Sequence, residues 1–163
     1  MPVPPTTTLS SCARAATAAE TRYRISTPIA PARGARVIAL DAGAAAVVGR
    51  LAGQPWANAR FLGCTGDADR LVLTGLGGEP ASLAEQLQDA DVVVLVATDD
   101  TGAACASALG RACRERGIMT AGLVLVSGSG AQHAVAALRP HARVLLPTAD
   151  ETDVLELLTA LRA

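Results

Sequence analysis

The stretch DADVVVLVATDDTGAACASALGRACRERGIMTAG, residues 89–122, decides the fold. Its run at 92–96 is apolar at every position, and such strands are usually covered on both faces, as in a parallel sheet. The polar residues 98–102 precede a helical pattern that ends near Gly117, and a second apolar run begins at Met119. The stretch therefore predicts a strand, a crossover helix and a second strand parallel to the first.

Similar segments lie on both sides of this stretch. The predicted strands are at 36–40, 61–64, 71–73 and 143–146, and the predicted helices are at 44–52, from Glu79-Pro80 to about Gln88, at 131–138, and after the capping residue Asp150. The alternation predicts an α/β domain over residues 34–163. We expect a single doubly wound, mostly parallel sheet with helices on both faces, a Rossmann-like arrangement.

The segment before this domain has a different composition. Residues 1–33 are rich in Pro, Ala and Thr and show little periodicity, which predicts a flexible leader. The alternation at 22–26 is compatible with a short edge strand within it.

Composition excludes several functions. All 14 basic residues of the 163 are Arg, so the chain has neither a Walker-type lysine nor a Schiff-base lysine. The net charge of -1 gives no basic footprint, so we expect no nucleic-acid partner. No apolar run is long enough for a membrane span, and the first residues do not resemble a signal peptide, so we expect no membrane association.

The four cysteines indicate the cellular compartment. Cys12, Cys64, Cys105 and Cys113 form no CxxC pair, and free cysteines are among the most buried residues. We interpret them as core thiols rather than metal ligands. Such scattered thiols suit a reducing, cytoplasmic location.

Three loops carry the candidate binding residues. The first follows the first strand and matches a dinucleotide-binding GxGxxG poorly, because only one glycine is present. The second offers glycine amides before the predicted helix at Glu79-Pro80, where an anion is favoured, and a simple tight turn is an equally good interpretation of these glycines. The third follows the strand at 92–96. The candidate residues are Asp41, Ala42 and Gly43, then Gly75, Gly77 and Gly78, then Thr98, Asp99, Asp100, Thr101 and Gly102.

The two carboxylates of the third loop disfavour the binding of a phosphate there. Each carboxylate a few Å from a phosphate costs about 1 kcal/mol even when well solvated. Asp99 and Asp100 are interpreted as caps of the following helix, with a divalent metal site as the less favoured alternative. No nucleophile and base are paired, and His133 and His141 are expected at the surface, so no catalytic residue is assigned.

Taken together, the loops resemble the nucleotide-binding half of the tubulin/FtsZ superfamily, nearest FtsZ. Thr74-Gly75-Leu76-Gly77-Gly78-Glu79-Pro80 is similar to the family's RGLGAGGNPE, and residues 91–97 are similar to its DMVFVTA strand. Residues 101–104 match the end of its GGGTGTGAA signature, residues 117–120 match its GILT, and Leu145-Leu146-Pro147 with Asp150 is similar to its IPND. The resemblance covers residues 36–150 and implies GTP or GDP as the ligand wherever the family's pocket persists.

The departures from the family pattern imply lost chemistry. Thr98-Asp99-Asp100 replaces the signature's glycine triplet, and the family's acidic catalytic loop and C-terminal domain have no counterpart in the 163 residues. The resemblance therefore predicts an FtsZ-like binding or regulatory module without GTP hydrolysis, which acts on a protein partner or by self-association. The alternative is a small GTP- or dinucleotide-binding protein, or the cofactor-binding half of an enzyme.

Overall fold

A computed structural model describes residues 31–67, 69–125 and 130–163. Residues 1–30, with Cys12 and the possible strand at 22–26, lie outside the described residues, as do residues 126–129. The elements are, in order, β1 (Ala35–Ala39), α1 (Ala42–Ala52), β2 (Ala59–Gly66), β3 (Leu71–Gly75), β4 (Pro80–Ala81), α2 (Leu83–Gln88), β5 (Val92–Ala97), α3 (Ala103–Glu115), β6 (Met119–Val124), α4 (Gln132–Leu138), β7 (Val144–Leu146) and α5 (Glu151–Leu161). None of the helices in these ranges is long and apolar enough to cross a membrane.

The strands form one mixed sheet in the order β4-β3-β2-β1-β5-β6-β7. β1 lies between β2 and β5 and is parallel to both, and β6 and β7 continue the parallel part. β3 is antiparallel to β2, and β4 is antiparallel to β3. The predicted α/β class is confirmed, and the structure is consistent with a Rossmann-like fold. The predicted parallel character holds only for β1, β2, β5, β6 and β7.

Helices cover both faces of this sheet, as the sequence predicts. One core joins Val37, Val94 and Leu123 to α1 and α5 through Val48 and Leu158. The other joins Ile38, Leu95 and Val124 of the opposite face to α2, α3 and α4 through Leu87, Leu109 and Leu138. Because successive strand residues point to opposite faces, a fully apolar strand such as β5 serves both cores at once.

The order in which strands are added to the sheet reverses at β1. From β1 the chain passes to β2 on one side, extends into the hairpin β3-β4, and then returns to β5 on the other side of β1. The helices that follow β1 and β5, α1 and α3, therefore lie on opposite faces of the sheet, and the strand order has a switch point between β1 and β5. In open α/β sheets this switch point is where ligands bind.

The helix predicted from Glu79-Pro80 is wrong in its first turn. Gly75 N donates to Glu79 O at 2.8 Å and Gly78 N donates to Gly75 O at 3.0 Å, which closes a turn between β3 and β4. Gly78 has a φ of 87°, a backbone conformation that favours glycine. The helix begins instead at Leu83, with Ser82 as its N-cap. Proline is tolerated at the first residue of a short strand, which explains Pro80 in β4.

β1 carries one buried cation near the opposite, amino-terminal end. Arg36 is 1% exposed, and its Nε donates to Gln86 O of α2 at 2.8 Å. Burial lowers the pKa of the Arg36 guanidinium, and the nearby Arg60 lowers it further. Arg36 thus ties β1 to α2 far from the loops at the carboxyl edge.

Candidate functional site

The first and third candidate loops meet at the carboxyl edge of the sheet. Ala39, the last residue of β1, is in register with Val96 of β5. The loops that follow, 41–43 and 98–102, are therefore neighbours although 57 residues separate Asp41 from Thr98. The structure brings these two groups of sequence-predicted residues together.

The carboxylate of Asp41 joins the two loops. Its Oδ1 accepts hydrogen bonds from the N–H of Ala44, at 2.8 Å, and from the hydroxyl of Thr98. Its Oδ2 accepts from the backbone N–H of Thr98 at 2.6 Å and of Asp99 at 3.2 Å. Asp41 is only 9% exposed. We call this set of contacts the Asp41 clasp.

The clasp occupies an anion position. Asp41 is the N-cap of α1, so its carboxylate lies where unpaired amides and the helix dipole favour negative charge. In a phosphate-binding loop that place is left for the ligand. Here the chain fills it with its own side chain.

The glycines of these two loops serve close packing. A Cβ on Gly43 would lie 3.1 Å from Thr98 Cβ, which is part of the clasp. A Cβ on Gly102 would lie 2.5 Å from Leu40 Cβ and 2.8 Å from its carbonyl carbon. Glycine therefore lets the loop before α3 press against the end of β1, and Gly102 is itself buried.

Asp99 and Asp100 do not cap α3, contrary to the prediction. The N-cap of α3 is Gly102, which makes no side-chain capping bond. Asp99 instead accepts from Thr101 N at 2.8 Å and from the Thr101 hydroxyl, which closes a local turn. Side chains of Asp commonly form such turns with a residue two positions on, and here that local bond satisfies the acid.

Asp100 caps a different helix. Its Oδ1 accepts from Ala134 N at 2.8 Å, and its Oδ2 lies 2.9 Å from His133 Nδ1, both in the first turn of α4. The N–H of Ala134, followed by His133, holds the pKa of Asp100 below its usual range. Spatial proximity of α4, rather than sequence, selects this partner.

The two histidines differ in their environments. His133 is exposed, as expected, with 84% of its side chain accessible. His141 is partly buried, contrary to expectation, because its ring packs where a Cβ of Gly110 in α3 would lie. No hydrogen bond reaches the buried His141 Nδ1 from any described residue.

The second candidate loop lies away from the other two. Because β3 runs antiparallel to β2, Gly75 is paired with Leu62, and the turn 76–79 extends toward the amino end of β2. The side chain of Glu79 folds back over the turn, so that a Cβ on Gly77 would lie 2.6 Å from Glu79 Oε2 and one on Gly75 would collide with Oε1. The structure does not bring Gly75, Gly77 and Gly78 together with Thr101 and Gly102.

A cleft of about 400 Å³ opens beside the Asp41 clasp. We call it the carboxyl-edge cleft. Its walls come from the end of β1 and the start of α1, the end of β2, Thr74 of β3, and the start of α3; the lining residues are Ala39, Leu40, Asp41, Ala42, Ala45, Gly63, Cys64, Thr65, Gly66, Thr74, Thr101 and Cys105. Asp41, Ala42 and Thr101 are the sequence-predicted members.

Sequence reasoning missed the other walls of the cleft. Residues 63–66 form the end of β2, which is the position expected for a ribose-binding acid, but none of the four is acidic. Cys64 and Cys105 were predicted as core thiols, and they are indeed buried and free, as is Cys113. The usable signal was the small size of residues 63–66 at the end of a strand that lies beside the switch point.

The charges around the cleft are few. No Arg is among the residues that line it, and Asp41 is its one carboxylate. In the described ranges, no group of three or more His, Cys, Asp or Glu side chains converges on a point where a metal ion could bind. The cleft therefore offers small apolar surfaces, hydroxyl groups and thiols.

Comparisons with known proteins add no family. No protein-family model matches this chain, and no curated protein shows significant similarity to it. The class that the described residues define is an α/β domain with a mixed sheet and a cleft at its carboxyl edge. The relationship to the tubulin/FtsZ superfamily stays a hypothesis from the sequence.

Proposed function

We propose that this chain is an FtsZ-like binding module that does not hydrolyse GTP and that holds a small uncharged ligand in the carboxyl-edge cleft. The observation that carries the proposal is the Asp41 clasp. Four donors that could bind an anion are already bonded to one carboxylate. A protein that used this edge for phosphate would need those donors free.

Electrostatics argue against a nucleotide ligand. A phosphate at the start of α1 would lie beside the Asp41 carboxylate, with which it has a repulsive Coulomb interaction. Triphosphate sites compensate their charge with Lys, Arg or a metal ion, and the cleft lining contains no Arg. Both the repulsion from Asp41 and the lack of Arg in the lining weaken the binding of a nucleotide.

The cleft walls support an uncharged ligand. Small-molecule sites are usually concave and mostly apolar, with volumes of about 300–1,000 Å³ and a few polar groups that orient the ligand. The carboxyl-edge cleft, at about 400 Å³, falls in the lower part of that range. Thr65, Thr74 and Thr101 supply hydroxyl groups to an otherwise small and apolar lining.

The proposed role is regulatory, through a protein partner or a second copy of the chain. The support is the sequence resemblance to a superfamily whose members assemble. The proposal includes a cytoplasmic location, since Cys64, Cys105 and Cys113 are free thiols.

One observation favours the alternative, a small GTP- or dinucleotide-binding protein. The cleft lies at the carboxyl ends of β1 and β2 beside the switch point, which is where nucleotides bind in such sheets. The Asp41 clasp outweighs it, because position alone does not supply the free amides that a phosphate needs.

Calorimetric titration of the full chain with GTP, GDP, ATP and NAD tests the proposal. We expect no binding at micromolar concentrations. In Asp41→Ala the four donors become free, so inorganic phosphate at millimolar concentration should raise the melting temperature of the variant by several degrees more than that of the wild type. Asp150→Ala is the control, because Asp150 also caps a helix, α5, but is exposed and lies outside the cleft. Micromolar binding of any of the four nucleotides to the wild type would overturn the proposal.

A second pair of variants tests the cleft itself. Ala45 lines the cleft and Ala46 does not, and both are exposed residues of α1. Ligands are first found by thermal shift with uncharged small molecules. Ala45→Leu should abolish the shift and Ala46→Leu should preserve it. Equal shifts in both variants would place the binding elsewhere.

A further inference from the structure

We propose that Cys64 and Cys105 form an oxidative modification site, at which a hydroperoxide converts the two thiols to a reversible disulfide beside the carboxyl-edge cleft. The positions of the two thiols support this site whatever ligand the cleft binds.

Two elements bring the thiols together. Cys64 is in β2, one residue beyond Gly63, the last residue paired with β1, and Cys105 is in the first turn of α3. Both line the carboxyl-edge cleft, and both belong to the same hydrophobic cluster. Cys105 Sγ donates to Gly66 O at 3.4 Å, so its sulfur reaches over the end of the strand that carries Cys64.

Both thiols are buried, yet both border open space. Cys64 is 3% exposed and Cys105 is 2% exposed. Because both thiols line the cleft, we expect a small oxidant such as hydrogen peroxide to reach them. Cys113 provides the contrast on the same helix, since it is fully buried, is free, and lies outside the cleft lining.

The two thiols differ in how readily they attack a peroxide. Burial raises the pKa of the Cys64 thiol, and the neighbouring Cys105 raises it further. The thiolate is the form that attacks a peroxide, so Cys64 is the poorer first nucleophile. Cys105 is therefore assigned the first attack, and Cys64 resolves the product, helped by its fixed position beside it.

The two steps balance with a hydroperoxide as the oxidant. The Cys105 thiolate attacks the terminal peroxide oxygen, the O–O bond breaks, the leaving oxygen takes a proton, and Cys105 becomes a sulfenic acid. The Cys64 sulfur then attacks the Cys105 sulfur, the S–O bond breaks, and the departing hydroxide takes the Cys64 proton to form water. The two thiols have lost two protons and two electrons, and a dithiol reductant reverses the change.

The experiment uses the full chain with Cys12→Ser, so that Cys12 cannot take part. The folded protein is treated with hydrogen peroxide and analysed by intact mass and by peptide mapping without reduction. We expect loss of two free thiols, a mass lower by two hydrogen atoms, a cross-link between the peptides of Cys64 and Cys105, and full reversal by dithiothreitol. The melting temperature should rise on oxidation, because a cross-link restricts the unfolded chain.

Variants make the assignment specific. Cys113→Ala should give the same cross-link, whereas Cys64→Ala and Cys105→Ala should give none, and Cys105→Ala should also lose the sulfenic acid trapped by dimedone. Circular dichroism shows whether each variant is folded. The peptide map of the protein with all three described cysteines decides the matter even where a variant does not fold. Oxidation that proceeds without a Cys64–Cys105 cross-link, or no oxidation at all, overturns the proposal.

Discussion

Three carboxylates occupy places where a nucleotide-binding loop would present bare amides. Asp41 lies at the start of α1, Asp100 lies at the start of α4, and Glu79 covers the glycines of the β3–β4 turn. Each carboxylate is already part of the chain, so its binding does not cost the translational and rotational entropy that a free phosphate loses on binding. Asp41 and Asp100 thus satisfy amides at the starts of α1 and α4 without a ligand.

Substitution of Gly102 tests how tightly the loop before α3 is packed. In Gly102→Ala the new methyl group would meet the backbone of Leu40, which cannot move as a side chain can. We expect a loss of roughly 1–3 kcal/mol in the free energy of unfolding, the usual cost of overpacking. Urea denaturation measures it.

Gly49→Ala is the matched control for this change. Gly49 is an exposed residue within α1, and, apart from its chain neighbours and the backbone of its own helix, no atom lies within 4 Å of the place of its Cβ. Alanine there should stabilise the protein by about 0.5–1 kcal/mol, because it restricts the unfolded chain and favours the helix. A Gly102→Ala protein as stable as Gly49→Ala would contradict the close contact with Leu40.

At the scale of elements, α4 depends on an acid from another loop. The pKa of Asp100 is lowered in the folded protein, chiefly by the Ala134 N–H and next by His133. A lowered folded pKa favours the charged form, so its contribution to stability is complete above the ordinary carboxyl pKa of about 4 and is lost as the pH falls through the lower folded value. The start of α4 should therefore loosen in acid.

Asp100→Asn tests this dependence, because it keeps an acceptor but removes the charge. The melting temperature of the wild type should exceed that of Asp100→Asn at pH 7, and the difference should shrink toward pH 3. Asp100→Ala, which also removes the acceptor, should remain less stable than Asp100→Asn at both pH values. A constant difference between the wild type and Asp100→Asn would show that the charge has no role.

Elements with strong local signals could be predicted from the sequence. The apolar run of β5 and the Asp150 cap of α5, confirmed with a full capping box, are local features. The strand at 71–73 was predicted, but its antiparallel direction was missed, because strand direction depends on hydrogen bonds across the sheet. The two-residue β4 was missed because Pro80 also suits the first turn of a helix.

The site could be predicted in position but not in chemistry. Asp41 was identified because it follows a buried strand, which places it at the carboxyl edge. Its role depends on Thr98 and Asp99, which are 57 and 58 residues away, and no local pattern encodes those bonds. Cys105 was recognised as buried, but nothing in the sequence indicates that a cleft lies beside it.

Across the described residues, burial falls from the centre of the sheet to its edges. Every residue of β1 and β5 is buried, whereas Val144 and Leu146 of the edge strand β7 are 43% and 37% exposed. Regions with few buried contacts open at lower free energy than the core. The described domain should therefore unfold from its edges inward.

Native-state hydrogen exchange measures that gradient. The amides of β1 and β5 should exchange slowest, near the global unfolding rate, and those of β4 and β7 fastest. Exchange at two protein concentrations provides the control. Protection of β7 equal to that of β5, if it increases with concentration, would indicate that a second copy covers this edge.

The Asp41 clasp also affects whether these loops can respond to a nucleotide. A switch protein reports its nucleotide because the loops around the phosphates change order when the nucleotide arrives or leaves. Loops that are held by the chain's own aspartate need no nucleotide to become ordered. On the proposed function, a partner that recognises this edge meets the same surface whatever the cellular ratio of GTP to GDP, and its control comes from the abundance of the protein or from oxidation of Cys64 and Cys105 beside the cleft.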